Sequence, residues 1–127
     1  MAKRTPPFEA YPQWTEAKFF AFLRAGLRAK WMRWPPKWET LQAASRPYKG
    51  PDKRKKTEYR CAKCKKWYSA KDVSVDHIEP VGRLSSYDDI AIFVQRLFVS
   101  KDKLQVLCKC CHDTKTNEEN RHRNHRR

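Results

Sequence analysis

The sequence predicts a small α+β protein built on a metal knuckle, with a helical extension ahead of it. Three observations carry this: an apolar stripe at helical spacing near the N-terminus, two short alternating apolar runs further on, and two Cys-x-x-Cys pairs. A chain of 127 residues fits one small domain with an extension. Its apolar fraction is 39% and its charged fraction 34%, against averages of about 45–50% and about 25% for globular domains. A core of that composition is thin, and something besides burial has to help hold the fold.

Residues 1–13 are Pro-rich and expected to be extended. The segment 15–34, "TEAKFFAFLRAGLRAKWMRW", predicts a helix with Thr15 as N-cap and with Phe19, Leu23, Leu27 and Trp31 on one face. Lys18, Arg24, Arg28 and Arg33 fall mostly away from that stripe, so the basic side of the helix is free to touch phosphates. Pro35 and Pro36 are expected to stop it. Residues 37–45 suggest a second short helix, and 46–57, with Pro, Gly and a charge run, an exposed linker. "YRCAKCKKWYSA" reads as a knuckle followed by an aromatic strand. "DVSVDHIEPV" alternates like a strand that Pro80 and Gly82 end. "SSYDDIAIFVQRLF" predicts a helix with Ser86 and Asp89 in a capping-box spacing and a buried stripe of Ile90, Phe93, Val94, Leu97 and Phe98. "KLQVLC" is a second strand, and "CCHDTKTNEENRHR" begins with a knuckle and continues as a polar helix. The expected division is an extension and linker over 1–57, a domain over 58–120 and a basic tail over 121–127.

The net charge of +15 is concentrated: residues 46–71 hold eleven Lys or Arg against two acidic residues, and the end, "RHRNHRR", is basic again. Such clusters point to a polyanion, first of all nucleic acid, with Tyr48, Tyr59, Trp67 and Tyr68 placed among the charges to stack on sugars or bases. A solvated basic face or an anionic membrane surface are the other readings. No apolar run is long enough to span a bilayer, and "MAKRTPPFEAYPQW" lacks the apolar core of a secretory signal. The expected compartment is therefore cytoplasmic and reducing, where cysteines are better metal ligands than disulfide partners.

Cys61-x-x-Cys64 and Cys108-x-x-Cys111 are matching pairs 43 residues apart. Each offers two thiolates from one tight turn, and together they complete a tetrahedron with no open position, the donor set of a structural Zn²⁺. Redox dithiols are the alternative, but neither pair lies in a thioredoxin-like setting. Cys110 is left as a free thiol, and His112 is able to replace one cysteine.

A Cys-x-x-Cys followed by "VDHIEPVG" and then "KLQVLCKCCHDTKT" resembles the HNH endonucleases, over roughly residues 58–119. Their core is the ββα-metal fold, a β-hairpin plus helix around one divalent metal. The segment "FFAFLRAGLRAKWMRWPPKWETL" looks like the helical lead-in of small HNH proteins encoded by bacteriophages. The resemblance implies a metal-dependent endonuclease that hydrolyses DNA phosphodiesters by nicking or by cutting both strands. His77 would be the general base, and an imidazole with an ordinary pKa of about 6.5 suits the removal of a proton from water near neutral pH. Asp76, on the other side of the strand, and His112, at the start of the last helix, would hold a divalent ion such as Mg²⁺, Mn²⁺, Ni²⁺ or Zn²⁺.

One position departs from the family. Its middle Asn, just before the Leu of the second strand, is Lys103 here, and lysine has no acceptor oxygen. Asp102 could orient the base instead, or Lys103 could meet the phosphate. Lys115 and Arg83 are further phosphate-contact candidates or solvated cations, and His122 and His125 are given no catalytic role. The expected partners are DNA and a phage or host protein, which would place the protein in the cytoplasm of a bacterial host. Two other readings compete. One is a non-catalytic zinc-knuckle protein that binds nucleic acid. The other is a phage assembly or packaging accessory protein that docks through "WMRWPPKW".

Overall fold

The computed structural model describes residues 7–125, with side chains as far as Arg121. The fold is α+β, with four α-helices and three small antiparallel sheets among the described residues. Two compact units form, one from the chain up to Trp34 with Val81–Phe98, the other from Pro35–Pro80 with the residues from Val99 onward.

In the first unit, β1 (Pro7–Phe8) and β2 (Tyr11–Thr15) pair as a short hairpin, so part of the extended N-terminal segment is a sheet. Thr15 then caps α1 (Glu16–Trp31) as expected, its hydroxyl accepting the Lys18 N–H at 3.1 Å. Trp31 is buried and Phe19, Leu23 and Leu27 are half-buried, but the most buried residue of the helix is Phe20, beside the expected row. The stripe widens because two elements cover it. Phe8 stacks on Phe19 with centroids 4.0 Å apart, and Tyr87 meets Phe20 edge-on at 5.1 Å.

A 3-10 turn, Tyr87–Asp89, leads into α3 (Ile90–Leu97), which packs against α1. Phe93 and Leu97 are fully buried, each contributing about 1.5–3 kcal/mol by leaving water. The capping carboxylate is Asp89, but it accepts from the N–H and hydroxyl of Ser85 at 3.0 and 3.1 Å, while Ser86 makes no side-chain cap bond. The 3-10 turn between serine and helix shifts the partner by one residue. The Ser85 N–H, with the Ser85 hydroxyl and Arg83 behind it, holds the Asp89 carboxyl below the usual range against the opposing pull of burial.

The second unit opens with α2 (Pro35–Ala43). Helix α1 has already ended at Trp31, so the two prolines begin a helix rather than cut one short. Proline's fixed φ and missing N–H suit a first helical turn. Strands β3 (Ser45–Pro47), β4 (Thr57–Arg60) and β5 (Trp67–Tyr68) form an antiparallel sheet in that order. The expected linker over 46–57 is thus stranded at both ends. In the loop between, the Tyr48 ring lies so close to Gly50 that a Cβ there would clash with its hydroxyl oxygen.

Strands β6 (Val73–His77) and β7 (Leu104–Cys108) pair antiparallel from Val73↔Cys108 to His77↔Leu104, and α4 (Lys109–His125) follows directly. Residues that oppose each other share a face. Val73, Val75 and His77 therefore lie with Leu104, Val106 and Cys108, and Ser74 and Asp76 lie with Gln105 and Leu107. Both α2 and α4 pack against the pair. The Ala62 N–H donates to the Val106 carbonyl at 2.8 Å and ties the first cysteine turn to β7.

The compact units run differently from the boundary drawn at 57/58. Helix α3 joins α1 because its apolar face needs a partner, and α2 and β3 join the cysteine turns. Among the described residues no helix is long and apolar enough to cross a membrane.

Candidate functional site

The four paired cysteines converge. The sulfurs of Cys61, Cys64, Cys108 and Cys111 all lie within 4.8 Å of one another, with Cys64 and Cys108 at 4.0 Å. A tetrahedron with Zn–S bonds of about 2.3 Å has edges of about 3.8 Å, so the donor set and its spacing fit a metal ion such as zinc. The two turns are built alike. The Cys64 N–H donates to Cys61 Sγ at 3.5 Å, and the Cys111 N–H donates to Cys108 Sγ at 3.5 Å. In the first turn the Lys65 N–H closes onto the Cys61 carbonyl at 3.0 Å, with Lys65 at φ 64°. The second turn is the first turn of α4.

Electrostatics in this cluster pull the crowded thiols in different directions. Burial alone would raise Cys61, but backbone N–H groups of Cys108, Cys64 and Lys63 outweigh it and bring the thiol down to about 6. The hydrogen bond with Cys108, then burial, push Cys111 up to about 12. Tyr68, 3.3 Å from Cys64 Sγ, is driven upward mainly by that contact. One thiol is drawn toward ionisation and another away from it, because they share hydrogen bonds within one crowded cluster. Cys110 is exposed and stays outside the cluster, as expected of a free thiol.

The second cluster is polar and centres on Asp76. His112, in the first turn of α4, puts Nε2 3.6 Å from Asp76 Oδ1. Lys115, one turn on, places Nζ 3.1 Å from Asp76 Oδ2 and donates to the His77 carbonyl at 3.0 Å. Gln105, opposite Asp76 in the strand register, donates Nε2 to Oδ2 at 3.2 Å. Lys115 also pairs with Glu119 one turn further along α4. Burial would lower the Lys115 ammonium, but Glu119 and Asp76 outweigh it and hold it above the usual lysine range. One carboxylate oxygen of Asp76 is thus engaged by Lys115 and Gln105, and the other faces His112.

His77 ends β6 on the opposite face, as strand alternation requires, and is only 9% exposed. The Lys103 backbone carbonyl accepts the Ile78 N–H at 3.0 Å, which continues the strand pairing by one residue, while its side chain is exposed. Asp102 accepts from the Ser100 hydroxyl, a bond that dominates the lowering of its pKa, so its carboxylate serves the local turn. Arg83 belongs to the other compact unit, where its side chain is 84% exposed and 3.8 Å from Asp89. The side chains of His122 and His125 lie outside the described residues.

Sequence reasoning named Asp76, His112 and Lys115 but missed that Lys115 bonds to Asp76, and it missed Gln105. Gln105 had a signal, a polar residue at the inward-alternating position of "LQVLC"; Lys115 had none beyond its helix position. No protein-family model, curated protein or solved structure matches this chain.

Proposed function

We propose that the protein is a metal-dependent endonuclease of HNH type, acting on DNA phosphodiesters at Asp76, His112 and His77. The observation that carries the reading is the 3.6 Å between Asp76 Oδ1 and His112 Nε2, contributed by a strand and by the helix that follows the strand pair. Two donors each about 2.1 Å from one ion span at most about 4.2 Å, so both can hold a single divalent ion. The order β6, β7, α4 is the one expected of a ββα-metal core, and Cys108 and Cys111 lie four residues and one residue before His112, where a structural zinc would fix the helix start.

The divalent ion would polarise the scissile phosphate and steady the leaving oxygen. His77 would take the proton from the attacking water, and the basic residues would hold the strand through its phosphates. The test is conversion of supercoiled plasmid with Mg²⁺, Mn²⁺, Ni²⁺ or EDTA, with His77→Ala in parallel. Expected is metal-dependent nicking or linearisation that falls by roughly 10²–10⁴-fold in the variant. Undiminished cleavage by a folded His77→Ala protein would remove His77 from the mechanism.

A second reading, a zinc-knuckle protein that binds nucleic acid without cutting it, is favoured by two observations. Lys115 and Gln105 already engage Asp76 Oδ2, and His77 is nearly enclosed. DNA binding without conversion under any metal would select it.

A further inference from the structure

The sheet β3-β4-β5 has two unlike faces. Tyr59 and Tyr68 oppose each other on one, with Tyr59 buried and Tyr68 packed on the cysteine cluster. The register puts Arg46 opposite Glu58 and Arg60 opposite Trp67, and Glu58 and Arg60 are two residues apart on β4, so all four share the other face. This face is not core: Arg46 and Arg60 are exposed and Trp67 is half-buried.

Both arginines are oriented through Nε, Arg46 by a ring and a carboxylate and Arg60 by a backbone carbonyl. Arg46 lays its guanidinium 3.6 Å over the Trp67 ring and gives its Nε–H to Glu58 at 2.5 Å. Arg60 gives its Nε–H to the Lys65 carbonyl at 3.4 Å, at the left-handed residue of the cysteine turn. Each guanidinium is therefore oriented through Nε, and among the described residues neither terminal NH₂ group has a protein partner. A guanidinium fixed on an aromatic plane has already lost much of its rotamer freedom, and its remaining donors match the fork geometry of a phosphate. Of these four residues Glu58 is the one acid, and Arg46 pairs with it. Lys63, Lys65 and Lys66 of the adjoining turn add exposed positive charge.

We infer that the Arg46–Trp67–Arg60 face of this sheet binds single-stranded nucleic acid, through phosphates on the two guanidiniums and a base stacked on the Arg46 guanidinium plane that covers Trp67. A flat sheet face offers planes that unstacked bases can lie on, and the bases of a duplex remain stacked on each other. The surface shares no residue with the Asp76–His112 site and does not depend on the hydrolytic reading.

The test uses the full chain with its thiolate metal and no added Mg²⁺ or Mn²⁺. Fluorescence anisotropy follows a labelled single-stranded DNA oligonucleotide, and its duplex, over a range of salt. Arg46→Gln with Arg60→Gln is expected to weaken single-strand binding by about tenfold or more and to reduce the slope of log K against log salt by about 1.4, as loss of two single-strand phosphate contacts requires. Unchanged affinity and slope overturn the proposal, and so does an equal loss on the duplex. Arg46→Lys with Arg60→Lys keeps the charge and removes the planar fork, which covers the case in which the glutamine pair fails to fold. It should lose affinity severalfold with nearly the wild-type slope, and wild-type affinity would overturn the role of the oriented guanidiniums. Lost plasmid conversion with intact oligonucleotide binding counts only against the nuclease reading.

Discussion

The cysteine cluster and the Asp76 cluster lie in the same unit and share the start of α4, yet they are opposite kinds of site. In the first, four like donors surround one point within 4.8 Å, and their own titration is split, with Cys61 drawn down to about 6 and Cys111 pushed up to about 12. In the second, donors and acceptors alternate: His112 and Lys115 both face Asp76, and Gln105 adds an amide N–H. The first set has the donors and spacing to hold one metal ion such as zinc. The second satisfies itself in part, and it leaves one imidazole and one carboxylate oxygen for a ligand. A closed set of soft donors builds structure, whereas an open set of hard donors leaves room for chemistry.

The sharpest way to break this comparison is to remove a thiolate. Cys61 is fully buried at the centre of the small core with Leu107 and Cys108. Binding of structural zinc contributes on the order of 10–16 kcal/mol in small zinc modules, and that free energy is folding free energy. Cys61→Ser is therefore expected to lose both its metal and the cooperative unfolding of the second unit, read by metal analysis and by circular dichroism during heating. A variant that melts like the wild type, with or without a chelator, would show that the cluster is not structural.

The Asp76 side of the comparison turns on Lys115. Its ammonium stands where a divalent ion at Asp76 would feel it, and like charges a few ångströms apart repel by a few kcal/mol at an effective dielectric constant of about 20. Lys115→Gln should tighten Mn²⁺ binding by about tenfold or more, measured by titration calorimetry on the zinc-loaded protein. No change would mean that Asp76 does not hold the ion. The same residue sets a pH dependence. Its folded pKa is raised, so its pairs with Asp76 and Glu119 stabilise fully below the unfolded value of about 10.4, and that stability is lost as pH rises through the higher folded value. The Tm gap between wild type and Lys115→Gln should hold steady near neutrality and close at the alkaline end.

Much of this was legible because it is local. The Thr15 cap, the Phe93–Leu97 stripe, the alternation of β6 and the cysteine spacing each depend on neighbours within a turn or two, and each is found. Part of what was missed depends on partners far away in sequence, and part on a local choice that two patterns fit equally well. Phe20 is buried rather than flanking because Tyr87 reaches it from another element. Asp89 chose Ser85 over Ser86 because a 3-10 turn, not a helix, begins at Tyr87. Lys115 meets Asp76 only because β7 carries α4 back across β6, and no pattern within either segment records that. The prolines follow a helical pattern and so suggest an end, although their geometry serves a helix start equally well.

The smallest effect probes how the cysteine turn is made. Lys65 follows the second cysteine at φ 64°, a left-handed conformation that costs an L-residue about 1–2 kcal/mol and glycine almost nothing. Its N–H must bond to the Cys61 carbonyl for the turn to close, so the conformation is demanded by the knuckle rather than by the lysine. Glycine would remove that cost, while its greater freedom in the unfolded chain takes back about 0.4–1 kcal/mol. Lys65→Gly is thus expected to stabilise the zinc-loaded protein by roughly 0.5 kcal/mol, a rise in Tm of a few degrees for a chain of this size. It should also weaken oligonucleotide binding, since an exposed cation leaves the edge of the sheet face where the Lys65 carbonyl holds Arg60. Higher stability with weaker binding would explain why a charged residue occupies a position that glycine fills at lower cost: the knuckle would give up a little stability to present a cation. A less stable variant would show instead that the lysine side chain itself supports the turn.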